Sequence, residues 1–335
     1  MKTSSSSSPN DTAIMAAPQT DAMFTLIIEA CTKYVWAFLV TLGIPGNILA
    51  LVISLQRTNR TNAACLYMAA IAAADTLLLV FYGVCQSTMF WIVKESLGEV
   101  PLQFCWYTAY TFGPISGLCL ALMSIDRVIA VRFPLQAIRL CTTGRAKRAA
   151  AITYTIVITL NLHIFFVYEQ DGPLMLRVLS REYPFLETLV VAFHLFIGTL
   201  LPLSIIVVCN IWIIFTLKSS NIKMADQKGG HRSREKDTTY ITRMLIIVCF
   251  AYVMTSMPYR LSLTLIDGIQ ALRQLYDMNL TYWKVRYAAL AWITSNLWHL
   301  NYAINFYLYC VAGGARYRND VKRFFHKVCI CGERH

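Results

Sequence analysis

Seven long apolar stretches predict an all-α membrane protein, a seven-transmembrane helix bundle followed by a short helix on the cytoplasmic surface. Three observations carry this expectation. Of 335 residues, 57% are hydrophobic and only 14% charged, with a mean hydropathy of +0.51, whereas a soluble domain carries about 25% charge. Each apolar stretch reaches the roughly 20 residues that cross a hydrocarbon core. Basic residues concentrate between alternate stretches, the mark of a fixed orientation.

The spans are expected at 32–55, 63–91, 104–131, 148–168, 188–217, 240–266 and 287–311. The first holds G-I-P-G-N, ending at Asn47, and the second holds A-A-A-D-T-L-L-L around Asp75. The third ends in S-I-D-R-V-I-A-V, with Asp126 and Arg127. The fourth follows the basic run C-T-T-G-R-A-K-R. The fifth has Pro202 and, further along, Asn210; the sixth has Pro258. The seventh reads N-Y-A-I-N-F-Y-L-Y, with Asn301, Asn305 and Tyr309. At 315–327, Tyr317, Val321, Phe324 and Phe325 share one side, and Lys322, Arg323 and Lys327 supply charge. That pattern suits a helix lying on the membrane surface. The chain thus divides into a 1–31 extracellular tail, expected to be disordered, a 32–311 transmembrane domain, and a 312–335 cytoplasmic surface helix and tail.

With the N-terminus outside, twenty of the 30 Lys and Arg residues face the cytosol, nine lie outside, and Arg127 sits within the third helix. Acidic residues run the other way, five inside and eleven outside. The net charge of +12 therefore follows topology. It points to anionic inner-leaflet lipid and cytosolic partners rather than to nucleic acid. The N-terminus, Met-Lys-Thr and then five serines, has no early apolar stretch, so no cleavable signal peptide is expected and the first span is expected to act as a signal anchor. The sequons at Asn10 and Asn279 fall outside and are candidate glycosylation sites, whereas Asn59 falls inside and is expected bare. The 11 cysteines contain no C-x-x-C pair and outline no disulfide framework.

Charged and amide side chains inside a span are costly and are read first as functional. In order and spacing, Asn47, Asp75, Asp126-Arg127, Pro202, Pro258 and the Asn301–Tyr309 run resemble rhodopsin-like, class A G-protein-coupled receptors. The likeness covers nearly the whole chain beyond the tail. The segments D-R-V-I-A-V-R-F-P-L-Q-A, L-N-L-H-I-F-F-V-Y-E and I-N-F-Y-L-Y-C are similar in wording to invertebrate neuropeptide-type, FMRFamide-receptor-like receptors.

The resemblance implies roles. Asp75, Ser116, Asn301 and Asn305 match a polar pocket that holds an allosteric sodium ion in the inactive state; the other reading is a cluster of helix–helix hydrogen bonds without an ion. No other cofactor is expected. Arg127 matches the arginine that meets a heterotrimeric G protein, with Asp126 holding it at rest and Asn305 and Tyr309 in the same switch; the other reading is an interfacial anchor. The ligand pocket would draw on Gln86, Trp91, Tyr110, His194, Tyr259, Arg260, Ser295 and His299, and such a polar, aromatic lining suits a short peptide. Packing is the competing role of each aromatic and histidine, and Glu187 or Asp267 is the competing partner of Arg260. Cys329 and Cys331 follow the surface helix as candidate palmitoylation sites.

The chain also departs from the family pattern. Val128 replaces the usual tyrosine after the arginine. Ser256 stands where helix six usually has tryptophan, Tyr252 where it has phenylalanine, Asn210 where helix five has tyrosine, Phe306 where helix seven has proline, and Gly117 where helix three has a bulky aliphatic. The usual bridge from helix three to the second outer loop has no loop cysteine between Glu169 and Glu187. Cys105, about one turn too deep, is either free or paired with Cys31. No lysine follows Lys284 within helix seven, which argues against retinal. Ala109 takes the aspartate position that a monoamine needs. Two other classes would carry marks of their own. A transporter or channel would show internal repeats or a charged pathway. A membrane enzyme would show a motif such as H-E-x-x-H or G-x-S-x-G. Neither is present.

Overall fold

A computed structural model describes residues 33–85, 99–170, 176–178, 184–224, 241–259, 261–262 and 281–332. The spanning helices are α1 (Lys33–Ser54), α2 (Ala63–Leu78, continued by a π turn at Leu79–Gly83), α3 (Glu99–Arg132) and α4 (Thr143–Leu160, continued through Val167). They continue with α5 (Pro184–Leu195, a π turn at Phe196–Leu200, then Leu201–Met224), α6 (Ile241–Tyr259) and α7 (Thr281–Ala312). The surface helix is α8 (Gly314–Gly332).

Six of these, α1 to α6, are long and apolar enough to cross a membrane. The seventh, 32 residues long, carries Ser295, Asn296, His299, Asn301 and Asn305. The helices outrun the expected spans: α3 begins at Glu99, α4 at Thr143, α5 at Pro184 and α7 at Thr281. Hydropathy marks only the hydrocarbon layer, and a helix continues into the headgroup region, where polar side chains are solvated. The surface helix likewise exceeds 315–327 at both ends. The described strands are a short antiparallel pair between α4 and α5, β1 (Tyr168–Gln170) and β2 (Leu176–Val178), with Glu169 opposite Arg177.

Local chemistry explains the ends and turns. Asn62 caps α2, its side-chain oxygen accepting from the Ala64 amide at 3.0 Å. Thr142 caps α4 through the Arg145 amide. Between α3 and α4 a short helix, Pro134–Leu140, starts with proline at its first position, where no intrahelical N–H is needed. The π turn in α5 ends just before Pro202, whose ring and missing N–H disturb the preceding turn.

The core has an inner half around Met123, Leu120, Ile71, Met244, Leu245 and Tyr309 and an outer half around Trp36, Leu79, Tyr82, Cys105 and Tyr302. Phe38, Phe166, Phe215 and Phe250 point outward and are exposed. On a soluble protein such an apolar surface would aggregate; in a bilayer it is the lipid face.

Candidate functional site

The inner end of α3 positions the first constellation. Asp126 and Arg127 are 8% and 6% exposed. The Arg127 Nε donates to Asp126 Oδ2 at 3.1 Å, and Nη2 donates to the same oxygen. The ion pair expected from the sequence is therefore formed. Cys141, just past the short loop helix, donates from Sγ to the Asp126 carbonyl at 3.3 Å. Burial, with the Asp126 carboxylate nearby, pushes the Cys141 thiol up to about 12, so the sulfur keeps the proton that it donates.

Directly outward, Ser124 Oγ lies 3.6 Å from Cys249 Sγ and joins α3 to α6. Asn210 donates to the Ile206 carbonyl of α5 at 2.7 Å, and its side chain also meets Cys249 of α6. A tyrosine there could not make this bond. Tyr309 is fully buried and meets Tyr317 edge-on at 5.9 Å, tying α7 to α8.

In mid-bundle, Asp75 is fully buried, and its Oδ2 accepts from Asn305 Nδ2 at 2.7 Å. Ser116 lies beside the same carboxyl. Asn301, one turn outward of Asn305, is buried as well. Asp75 Oδ1 has no hydrogen-bond partner among the described residues. The four residues named from sequence thus come from α2, α3 and α7, and Asn305 sits with the pocket rather than beside Arg127. A hard monovalent cation fits this donor set: one carboxylate with an unused oxygen, a hydroxyl and two amides. Asn47 belongs to the frame, donating to the Tyr302 carbonyl at 2.7 Å.

Two glycines one turn apart on α3 receive tyrosine hydroxyls. A Cβ on Gly117 would stand 2.7 Å from the Tyr252 hydroxyl of α6 and 3.6 Å from Pro202 of α5. A Cβ on Gly113 would stand 2.8 Å from the Tyr302 hydroxyl of α7. Two departures from the family pattern, Gly117 and Tyr252, are therefore one complementary pair.

The outer half is an aromatic network. His299 stacks on Tyr82 at 5.4 Å, Tyr82 meets Trp106 at 6.0 Å, Trp106 stacks on Tyr110 at 5.6 Å, and Tyr110 lies 4.3 Å from His194. Tyr259 stacks on Trp298 at 5.1 Å, and Trp298 lies 4.7 Å from His299. Four candidates from sequence, Tyr110, His194, Tyr259 and His299, are thus joined. Ser295 contributes its carbonyl, which accepts from His299 Nδ1 at 2.7 Å. His194 and His299 are buried within this packing.

Trp36, Tyr82, Trp106 and Trp298 were not singled out from sequence. The four-residue spacings Trp106–Tyr110 and Trp298–Tyr302, each one helical face, are the signal that could have found two of them. Gln86, Trp91, Arg260, Asp267, Asn10, Asn279 and Cys31 lie outside the described residues, as do the side chains of Glu187, Cys329 and Cys331. Cys105 is a buried free thiol packed near Cys85.

Comparison with known proteins agrees with this geometry. A sequence model described as "7 transmembrane receptor (rhodopsin family)" matches residues 46–305. The somatostatin receptor type 2 of Sus scrofa is 23% identical over 249 residues, covering 72% of this chain and 65% of the relative. The somatostatin receptor type 1 of Rattus norvegicus is 24% identical over 236 residues, covering 68% of this chain and 58% of the relative. The chain therefore spans under two thirds of the length of these relatives. Its matched region takes in the inner part of α1 from residue 46, all of α2 to α6 and most of α7, so the chain belongs to the rhodopsin family of seven-transmembrane receptors, a family of receptors and not of transporters, channels or enzymes.

Proposed function

We propose that this protein is a plasma-membrane receptor that binds an extracellular short peptide and activates a heterotrimeric G protein. The N-terminus lies outside and the C-terminus in the cytosol. The observation that carries the reading is Arg127, buried at the inner end of α3 and held by Asp126 within a bundle of this family. The Asp126 carboxylate offsets the cost of burying the guanidinium charge. Separating α6 from α3, at the Ser124–Cys249 contact, would uncover it for a cytosolic acceptor. The relatives named above are receptors for somatostatin, a peptide, and the aromatic network offers a peptide broad ring faces, with Arg260, two residues past Pro258 in the sequence, as the expected cationic contact.

Binding acts by population shift. A ligand that prefers the arrangement with α6 displaced moves the equilibrium by its differential affinity alone. Asp75, Ser116, Asn301 and Asn305 would hold a sodium ion, which supplies the counter-charge that a buried carboxylate needs. Asp75 offers its unused oxygen, Ser116 its hydroxyl, and the two asparagines their amide oxygens.

The test is nucleotide exchange on purified G proteins, in membranes expressing the parent chain or Arg127→Ala, across a peptide library. The proposal expects at least one peptide to accelerate exchange with the parent chain, and the same peptide to bind Arg127→Ala without doing so. Equal exchange by both chains would refute the role of Arg127.

A further inference from the structure

Cys85 and Cys105 stand at the same depth. Cys85 lies 22 residues from the start of α2 at Ala63, and Cys105 lies 22 residues from Arg127. At about 1.5 Å per residue each is roughly 33 Å from the cytoplasmic edge, and the hydrocarbon core is about 30 Å thick. Both thiols therefore reach the outer membrane face. Both are free thiols in this structure and lie near one another between α2 and α3. Cys85 packs on the cluster that contains Cys105, and the two side chains interact. On either side, Phe81 meets Phe104 at 5.4 Å and Tyr82 meets Trp106 at 6.0 Å, clamping α2 to α3 around the pair.

Packed helices have axes about 8–10 Å apart, and a Cα sits about 2.3 Å from its axis. Facing positions therefore bring Cα atoms to roughly 3.4–5.4 Å, a range that overlaps the separation of about 4.4–6.8 Å that a disulfide requires. No cysteine in the second outer loop competes for Cys105.

We propose that Cys85 and Cys105 form a disulfide that ties the outer ends of α2 and α3. The proposal rests on the orientation given above, which puts these thiols in the oxidising lumen during synthesis. The oxidant is a protein disulfide of a lumenal thiol oxidoreductase. The half-buried Cys85 attacks as the thiolate and forms a mixed disulfide, breaking the donor's S–S bond. Cys105 then attacks the Cys85 sulfur and expels the donor. One S–S bond forms and one breaks, and both protons and the electron pair leave with the donor as a dithiol. The bridge fixes α2 against α3 beside Tyr82 and Trp106, the rings that join the two halves of the aromatic network.

The experiment uses the full chain at the cell surface. Free thiols are alkylated before solubilisation, the protein is digested without reduction, and the peptides are mapped by mass spectrometry. The expected result is a cross-linked Cys85–Cys105 peptide pair that disappears on reduction, with most of both cysteines protected from alkylation. Cys85→Ser should expose Cys105 to the alkylating reagent, and Cys105→Ser should expose Cys85. Finding both residues alkylated in the parent chain, or Cys105 cross-linked to Cys31, overturns the proposal. Terminal tags stained with and without permeabilisation report orientation separately, so an inverted topology is told apart from an absent bridge.

Discussion

Gly117 is the position where one methyl group should change the behaviour of the whole bundle. In the structure its missing side chain makes room for the Tyr252 hydroxyl, and an alanine Cβ would stand 2.7 Å from that oxygen. The phenol ring is rigid, so the clash is relieved only by rotating Tyr252 or by moving α6. Overpacking of this kind costs about 1–3 kcal/mol in a well-packed core. Alanine also gains about 0.5–1 kcal/mol over glycine in a helix. That gain is present whether α6 is closed or displaced, so it cancels from the switch equilibrium and counts only toward folding. Taking about 1.4 kcal/mol for the clash, the ratio of displaced to closed receptor rises about tenfold. Gly117→Ala is therefore expected to raise basal nucleotide exchange severalfold at matched surface expression. Tyr252→Phe in the same chain removes the offending oxygen and leaves the ring carbon Cζ at 3.4 Å, an ordinary contact. The double variant should return to within about twofold of the parent. Tyr302→Phe, whose hydroxyl serves Gly113 instead, should not rescue it. Unchanged basal exchange in Gly117→Ala, or equal rescue by Tyr302→Phe, would refute the pairing.

Further outcomes are expected. Asp126→Asn removes the charge that holds Arg127, so basal G-protein activation should rise severalfold in the same exchange assay; a quiet variant would make the pair an anchor. Sodium should weaken agonist binding, within the roughly 5–150-fold range of ordinary allosteric coupling, and Asp75→Asn should abolish that dependence, as read by competition binding with and without sodium. If both chains bind agonist identically at all sodium concentrations, the cluster is structural only. A tag at Thr3 should stain on intact cells and a C-terminal tag only after permeabilisation; the reverse pattern would overturn the orientation drawn from the 20 cytoplasmic basic residues.

The bundle was legible in the sequence because lipid imposes a one-dimensional rule. A backbone in hydrocarbon must satisfy its own hydrogen bonds, so length and apolarity suffice to locate helices. Asp75, Asp126, Arg127 and Asn305 stood out for the same reason, since each is a costly group inside an apolar run. Helix ends were less legible: Glu99 and Thr281 lie beyond the hydrocarbon, where hydropathy carries no signal. The hairpin at Tyr168–Gln170 and Leu176–Val178 was missed because six residues in two short strands have no period to read.

The amino-acid sequence by itself determined the class of protein, the number of spans, their polar residues and the basic face, because each of these is a property of a single segment. Only the tertiary structure decided which segments answer one another. Asn305 could have served Asp75 or Arg127, and the fold joins it to Asp75 at 2.7 Å. Gly117 and Tyr252 read as two unrelated departures until packing put the hydroxyl of one into the space left by the other. Trp36, Tyr82, Trp106 and Trp298 read as ordinary apolar residues until α1, α2, α3 and α7 stacked them into one network with His299. The reason is physical: burial in lipid is decided residue by residue along a helix, whereas complementarity depends on the rotation and depth of each helix against its neighbours, which are set by all the contacts together.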